Sequence, residues 1–325
     1  MRSGVRGQGW ARWRAPRRVA VAVVLLAASA GCSLEEVTLV EAQDAVVAEV
    51  YIQLNPGVAG ANRVTAFLHR TLDSGSPSSR PVPGAHVVVT RSDGFSLELG
   101  GTTLETCVTV TPVEGTGTCY WSVPEAAGRI QPGDRLTVRI ELPDGGLLQG
   151  TTTVPGAFDL LSGASTICAV APETPLEVRW TRSAGAWAYV NETLISGLRD
   201  ALAPRGITVD EDPLYLLGIS VSSADTTVVF PGEFGVFDRF ELDQALALEL
   251  QKGLPSGTNA KVTITAGDRN YVNWIRGGNF NPSGQIRIPS LRGDGTGVFA
   301  ATVSRSFRVL ALPEGVSPTI PRCTP

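Results

Sequence analysis

Histidine is almost absent from this chain of 325 residues, which contains only His69 and His86 and no Gly-x-Ser-x-Gly sequence. A serine nucleophile of the common triad type needs a histidine base beside it. His69 falls on the strand face opposite Val64 and Leu68, so we expect its ring to face solvent. The sequence therefore predicts no catalytic residues of this kind, and we expect neither enzymatic activity nor a cofactor.

Lysine is equally scarce, because Lys252 and Lys261 are the only two in the chain. Six arginines stand before position 19 and no acidic residue precedes position 32, so the rest of the chain is strongly acidic. No basic stripe is present to neutralise phosphates, and we expect no nucleic-acid partner. There is also no Cys-x-x-Cys pair, so the sequence does not favour a zinc site or another metal site.

The apolar run near the N-terminus, "VAVAVVLLAAS" at 19–29, is short. A transmembrane helix needs about 20 apolar residues to cross ~30 Å of hydrocarbon. The run follows a stretch rich in arginine and precedes the small residues Ala30 and Gly31. Residues 1–31 are therefore typical of a secretory signal peptide.

The sequence "SAGC", Ser29 to Cys32, resembles the lipobox of bacterial lipoproteins, in which the cysteine becomes the acylated N-terminus. Ser29 occupies the position where leucine is usual. The resemblance implies lipidation, typically with palmitate, at Cys32, and each buried methylene would contribute ~0.8 kcal/mol to membrane anchoring. Ser33 directly after the cysteine implies delivery to the outer membrane, on its periplasmic or its cell-surface side.

Four more cysteines follow, an even number that indicates two disulfides in an exported chain. They are Cys107, Cys119, Cys168 and Cys323. Three pairings are possible, and we favour Cys107–Cys119 with Cys168–Cys323. The first would close a short loop around a glycine turn and contribute roughly 3 kcal/mol to stability. The second would fasten the C-terminal tail to the start of a second domain.

Short strands with frequent turns dominate residues 44–155. Two hairpins are indicated, around Ser92-Asp93-Gly94 and around Asp144-Gly145, because both places carry turn residues typical of tight hairpins. About eight short strands in so short a region are typical of a β-sandwich. We expect this domain to follow a tether at 32–43 and to precede a linker at 156–172.

Two segments of this domain resemble known modules. Pro81–Val89, "PVPGAHVVV", resembles the opening of carboxypeptidase-regulatory-like and transthyretin-like modules, and Gln131–Gly145 looks like their matching strand pair. The resemblance implies an immunoglobulin/transthyretin-like sandwich, used on exported bacterial proteins as a spacer or docking domain.

Residues 173–325 are predicted to form a second β-rich domain. Its opening resembles the first strands of a fibronectin-type-III sandwich, with aromatic residues at Trp180, Trp187 and Tyr189. Apolar periodicity predicts one helix over about 194–203 and another near 239–252 that ends at Gly253. The expected fold class is mainly β, with two sandwich-like domains and one or two inserted helices.

The Gly- and Asn-rich stretch Asp268–Phe299 has several interpretations. A phosphate cradle would need its glycines before a helix, and here they precede a strand-like run. A calcium loop would need several oxygen ligands, and only Asp294 lies among these glycines. Arg292-Gly293-Asp294 is a chance tripeptide in a Gly-rich turn. Two interpretations remain, a structural loop pinned by aromatic residues and a binding loop on a rigid sandwich.

The same stretch carries a family resemblance. "AGDRNYVNWIRGGNFNPSG" and the later Gly297-Val298-Phe299-Ala300 resemble the closing segment of domain of unknown function 4249, a family of bacterial outer-membrane lipoproteins. Its members often accompany TonB-dependent receptors, which implies an accessory role in nutrient uptake. If the stretch binds a ligand, the candidate residues are Asp268, Asn270, Tyr271, Trp274 and Asp294.

We therefore expect a lipid-anchored binding or accessory protein of the outer membrane, with an outer-membrane receptor as its partner. One alternative is a glycan-active hydrolase with paired carboxylates, for which the sequence offers Asp210–Asp212 and Glu233 with Asp238. The other alternative is a purely structural spacer.

Overall fold

The computed structural model describes residues 44–71, 80–107, 117–161, 166–233, 244–277, 287–313, 315–316 and 318–323. The predicted signal peptide, tether and Cys32 lie outside these ranges. The described residues belong to one unit, Ala42–Pro325. Among them, no helix is long and apolar enough to span a bilayer.

The structure is mainly β, as the sequence predicts, with a sandwich-like architecture. The strands are β1 Val46–Leu54, β2 Arg63–Arg70, β3 His86–Arg91, β4 Ser96–Thr102, β5 Thr118–Trp121, β6 Arg135–Glu141, β7 Leu147–Thr153, β8 Ile167–Val170, β9 Leu176–Arg179, β10 Ala188–Ser196, β11 Leu214–Ile219, β12 Thr227–Phe230, β13 Asn259–Gly267, β14 Arg292–Gly293 and β15 Gly295–Ala311. The α-helices are α1 Pro124–Ala127, α2 Leu198–Leu202, α3 Gln244–Lys252 and α4 Arg269–Arg276.

One large sheet holds most of the strands, in the order β11-β10-β13-β15-β1-β2-β5-β4-β3-β6-β7-β14. Strand β4 turns the corner between two layers, because Ser96 to Leu99 pair with β3 while Gly100 to Thr102 pair with β5. A strand that changes layers in this way is typical of sandwiches whose sheets meet at a corner. Strands β9 and β12 form a separate antiparallel pair.

Strand β15 joins the two halves of the chain. Its first part pairs in parallel with β1, from Val46 opposite Gly295 to Leu54 opposite Val303. Its second part pairs antiparallel with β13 and in parallel with β8. The same strand therefore extends the pairing of both regions that the sequence analysis treats as separate domains.

Residues 297–303 of β15 are buried without interruption, although strands with one solvated face normally alternate. Phe299 points into the main core, whereas Val298 and Ala300 lie in a second cluster with Trp274 of α4. Both faces of this segment are thus covered, which explains its continuous apolar sequence.

The local turn and helix predictions have mixed outcomes. Both hairpins are confirmed, as β3–β4 and β6–β7. The helix predicted over 194–203 is wrong at its start, because β10 continues to Ser196 through pairing with β11, and α2 covers only Leu198–Leu202. Gly197, at φ 86°, separates the strand from the helix. The helix predicted near 239–252 is present as α3 over Gln244–Lys252, and residues 239–243 lie outside the described ranges.

Both favoured disulfides are confirmed. Cys107 bonds to Cys119, and Cys168 bonds to Cys323. Cys168 lies in β8, inside the segment predicted as a linker at 156–172, and β8 pairs with β15. The described part of this segment thus contributes a strand to the large sheet.

Candidate ligand-binding groove

A helix occupies the start of the Gly- and Asn-rich stretch, so the prediction of a loop is wrong for residues 269–276. Asp268 caps this helix, α4, because its Oδ1 accepts a hydrogen bond from the backbone N–H of Tyr271 at 2.8 Å. Val272 and Trp274 form the buried face of this helix and pack it against the sheet. The local cap and the buried face together explain why these residues are helical.

Asp268 is a buried structural carboxylate, only 5% exposed. Its Oδ1 also accepts from the backbone N–H of Ala301 at 3.3 Å, and its Oδ2 accepts from the Thr152 hydroxyl. Burial raises the pKa of Asp268, and the hydrogen bonds from Thr152, Tyr271 and Ala301 partly oppose that rise. Asp268 thus connects α4 to β7 and β15. Because both of its oxygens already accept hydrogen bonds within the fold, we do not assign it to a ligand.

The two aromatic candidates are also structural. Trp274 is 7% exposed and packs on Val298 and Ala300. Tyr271 meets Tyr51 edge-to-face with ring centroids 6.3 Å apart, and burial raises the pKa of the Tyr271 hydroxyl. These rings secure the helix to β1 and β15, so neither offers an open aromatic face to a ligand.

The two remaining candidates bridge neighbouring elements. Asn270 donates from Nδ2 to the carbonyl oxygens of Thr151 and Phe299, at 3.0 and 2.9 Å. Asp294 is exposed, and its carboxylate accepts from the backbone N–H of Leu147 at 2.9 Å. Of the five candidates, Asn270 alone lines the groove described next.

An open groove of about 730 Å³ lies between α4, the outer face of β6 and β7, and the segment that leads into β14. Its lining is partly polar and partly apolar, and it contains no carboxylate among the described residues. The lining residues are Thr137, Leu147, Gln149, Gly150, Thr151, Arg269, Asn270, Asn273, Ile288, Pro289, Ser290, Arg292 and Gly293.

Two glycines allow the segment that leads into β14 to lie in direct contact with β7. A methyl group on Gly150 would approach Cδ2 of Leu291 to 2.7 Å. Gly293 has φ of 130°, and a methyl group there would overlap the carbonyl oxygen of Leu147. Both close approaches need a residue without a side chain, and Gly293 also needs the left-handed backbone region that glycine tolerates.

Two arginines give the groove its charge. The guanidinium of Arg269 lies 5.3 Å from the ring centroid of Trp187, a cation–π distance. Arg292 stands in β14, directly opposite Gln149 of β7. Both arginines are exposed, and within the described ranges neither forms an ion pair with a carboxylate.

The candidate residues predicted from the sequence do not include Arg269, Asn273, Gln149 or Arg292, which line the groove. One signal was available in the sequence: residues 269–293 contain four arginines and neither aspartate nor glutamate. The contribution of β6 and β7 could not be found in this way, because those strands lie more than 100 positions earlier in the chain.

A second, smaller cavity of about 220 Å³ lies between β9–β12 and β10–β11. Trp180 and Tyr189 form part of its lining, and Asp225 and Glu233 also border it. The buried Nε1 of Trp180 has no hydrogen-bond partner among the described residues. The Tyr189 and Trp180 rings are packed in a T-shaped arrangement with their centroids 5.3 Å apart. In the part of the chain that the structure covers, no group of three or more His, Cys, Asp or Glu side chains is arranged to hold a metal ion.

Comparisons with known proteins give little further information. No family model and no curated protein matches the chain. A similar solved structure is that of a DUF4785 family protein from Legionella pneumophila, at 10% identity and a TM-score of 0.17. The match covers 67% of this chain and 51% of that one, so this chain spans about half the length of that protein. A TM-score this low carries no argument. The findings do not support membership of domain of unknown function 4249, and they are consistent with an uncharacterised domain.

Proposed function

We propose that this chain is a lipid-anchored binding or accessory protein of the outer membrane, and that the groove beside α4 is its recognition site. The observation that carries the proposal is the convergence of polar side chains from α4, β6, β7 and β14 on one cavity of about 730 Å³. That volume lies within the usual range of ligand sites, roughly 300–1,000 Å³.

The elements around the groove favour recognition because they are held rigidly. Asn270 fixes α4 to β7 and β15 through two hydrogen bonds, and Asp268 adds three more contacts at the same end of the helix. Because the backbone of these elements is already ordered, little backbone entropy is lost when a ligand binds. Asn273 and Gln149 add amide groups that can donate and accept hydrogen bonds.

The position of the groove agrees with an anchored role. Val46, at the start of β1, pairs with Gly295, only two residues beyond the groove residue Gly293. The chain therefore enters the folded body beside one end of the groove. A twelve-residue tether at 32–43 reaches at most roughly 40 Å when fully extended. A lipid on Cys32 would thus hold the groove near the membrane, where an outer-membrane receptor would be its partner.

The anchor can be tested by metabolic labelling with palmitate. We expect label in the wild-type chain and none in Cys32→Ala, which we expect to leave the membrane fraction. Wild-type chain without label, or with Cys32 removed by cleavage, would contradict the lipid anchor.

The recognition site can be tested by photo-crosslinking in cells. A photoreactive residue at Asn273 should capture an outer-membrane protein, whereas the same residue at the exposed Lys261 of β13 should not. The crosslinked partner should also co-purify with the wild-type chain in mild detergent. Capture from both positions alike, or from neither, would contradict recognition at the groove.

One observation favours the alternative of a glycan-active hydrolase. Asp225 and Glu233 border the same cavity of about 220 Å³. Each carboxylate already accepts a backbone hydrogen bond in its own turn, from Ser222 at 2.9 Å and from Val229 at 2.8 Å. Release of reducing ends from a glycan, abolished by both Asp225→Asn and Glu233→Gln, would establish the hydrolase and displace the binding role.

A further inference from the structure

The groove is positively charged in an otherwise acidic chain. The chain has 27 basic and 31 acidic residues, yet residues 269–293 contain Arg269, Arg276, Arg287 and Arg292 and no acidic residue. Such a separation of charge concentrates positive potential on one part of the surface.

Two of the arginines already have partners in the fold. Arg276 donates from Nη2 to the carbonyl oxygens of Ser220 and Val221, at 3.0 and 3.1 Å. Arg287 forms an ion pair with Glu49 at 3.5 Å and lies over the Trp274 ring. These two side chains connect α4 and the following segment to the remainder of the sheet.

The other two arginines, Arg269 and Arg292, both line the groove. No described carboxylate forms an ion pair with either of them. Residues 278–286, which lie outside the described ranges, contain no acidic residue in their sequence. The nearest carboxylates in sequence, Asp268 and Asp294, already accept hydrogen bonds from backbone N–H groups.

The groove also offers the geometry that an anion requires. The indole of Trp187 restricts the Arg269 side chain, so less conformational entropy is lost when its guanidinium binds an oxyanion. Guanidinium groups bind carboxylates and phosphates through paired N–H···O bonds. Neutral donors, Gln149, Asn273 and the Thr137 hydroxyl, line the same space.

We propose that the groove binds a ligand with at least two anionic groups, carboxylate or phosphate, one held by Arg269 and the other by Arg292. This inference rests on the proposed function, because it names the ligand class for the same groove. The source of the anion is either a soluble polycarboxylate or a phosphorylated molecule, and the two share the chemistry of oxyanion recognition by arginine.

The test is calorimetric titration of the full lipidated chain in a neutral detergent. The probes are citrate, inorganic pyrophosphate and, as an uncharged reference, glycerol. We expect citrate or pyrophosphate to bind, since each carries at least two anionic groups, and glycerol not to bind. Binding of citrate points to a carboxylate ligand, and binding of pyrophosphate points to a phosphorylated one. Failure of both anions to bind overturns the proposal.

Three substitutions locate the site. Arg269→Gln and Arg292→Gln should each weaken the anion's affinity about tenfold, since a charge-assisted hydrogen bond contributes at least that much. Arg308→Gln is the matched control, because it removes an equal charge at an exposed position of β15 that does not line the groove. All three side chains are exposed, so we expect unchanged melting temperatures. An equal loss in all three variants, or no loss in the first two, overturns the proposal.

The outcome is distinguishable from failure of the proposed function. If Asn273 captures a membrane partner and no anion binds, the ligand class is wrong and the recognition site stands. If citrate or pyrophosphate binds through the two arginines and Asn273 captures nothing, the site is an anion site and the receptor-accessory role is wrong.

Discussion

Thr152 of β7 donates a hydrogen bond from its hydroxyl to the carboxylate of Asp268, which caps α4 at a separation of 116 positions in the chain. Both residues are buried, at 5% exposure each. The contact joins the layer that forms the floor of the groove to the helix that forms its side. The shape of the groove therefore depends on a residue that does not itself line it.

Replacement of Asp268 should separate its role as a cap from its charge. Asp268→Asn retains an oxygen that can accept from the Tyr271 N–H, and we expect a melting temperature at neutral pH equal to or above that of the wild type. Asp268→Ala removes the cap and leaves the Ala301 N–H without its acceptor, so we expect a loss of about 2 kcal/mol. Chemical denaturation measures both values. If Asp268→Asn were as unstable as Asp268→Ala, the assignment of Asp268 as the cap of α4 would be contradicted.

Comparison of the wild type with Asp268→Asn should also show how Asp268 makes the unfolding free energy depend on pH. Burial raises the pKa of Asp268 in the folded state above its value in the unfolded state. The folded state then holds a proton that the unfolded state releases, so this carboxyl lowers stability as pH rises above about 4. We expect the unfolding free energy of wild type, relative to Asp268→Asn, to fall as pH rises from about 4 through the raised pKa. A difference that grows in the opposite direction would contradict burial as the dominant cause.

Gly293 should tolerate no side chain. At its φ of 130°, an added methyl group would overlap the carbonyl oxygen of Leu147. We expect Gly293→Ala to lower the unfolding free energy by about 3 kcal/mol, because strain and overlap act together. Gly94 is the matched control, since it also has positive φ but has open space around it. Gly94→Ala should therefore cost about 1 kcal/mol. Equal losses for the two variants would show that backbone strain alone, without the close approach to β7, determines the cost.

The two disulfides should differ in their contributions to stability. Cys168 and Cys323 are separated by 155 positions, whereas Cys107 and Cys119 are separated by 12. In the chain-entropy account, the longer loop contributes about 5 kcal/mol and the shorter one about 3 kcal/mol. Urea denaturation of the two double-serine variants compares them directly. A larger loss from Cys107→Ser with Cys119→Ser would contradict the entropic account for this protein.

A fragment limited to residues 44–155 should not fold alone. Its first strand, β1, would lack its parallel partner β15, and Phe299 would be absent from the core. We expect the fragment to show no cooperative thermal transition and to aggregate, because an apolar edge would be exposed. A cooperative transition in this fragment would support the division at position 155 that the sequence patterning predicts.

Most of the features that could be predicted from the sequence depend on neighbouring residues. The exception is the Cys168–Cys323 disulfide, which joins residues 155 positions apart. Turn chemistry at Asp93-Gly94 and Asp144-Gly145 is local, so both hairpins were correctly placed. Helix α4 was not predicted, because its Gly- and Asn-rich stretch is typical of a loop. The helix depends on the buried cap Asp268 and on packing against Val298 and Ala300, which lie about 25 positions later in the chain.

The groove was missed for the same physical reason. Asn270 was selected from its local sequence, but Gln149 and Arg292 come together only because β7 pairs with β14. Strand pairing over such a separation depends on the whole arrangement of layers, which the local pattern does not contain. The absence of acids between Arg269 and Arg292 was the one local sign of the groove's charge.

Pairing of Val46 with Gly295 also limits the order in which the protein can be assembled. During synthesis from the N-terminus, the first strand has no parallel neighbour until almost the entire chain has been made. Long-range pairing of this kind slows folding. Strand β1 consequently lacks its parallel partner until β15 has been synthesised, so we expect the part of the core around Phe299 to form only after that point.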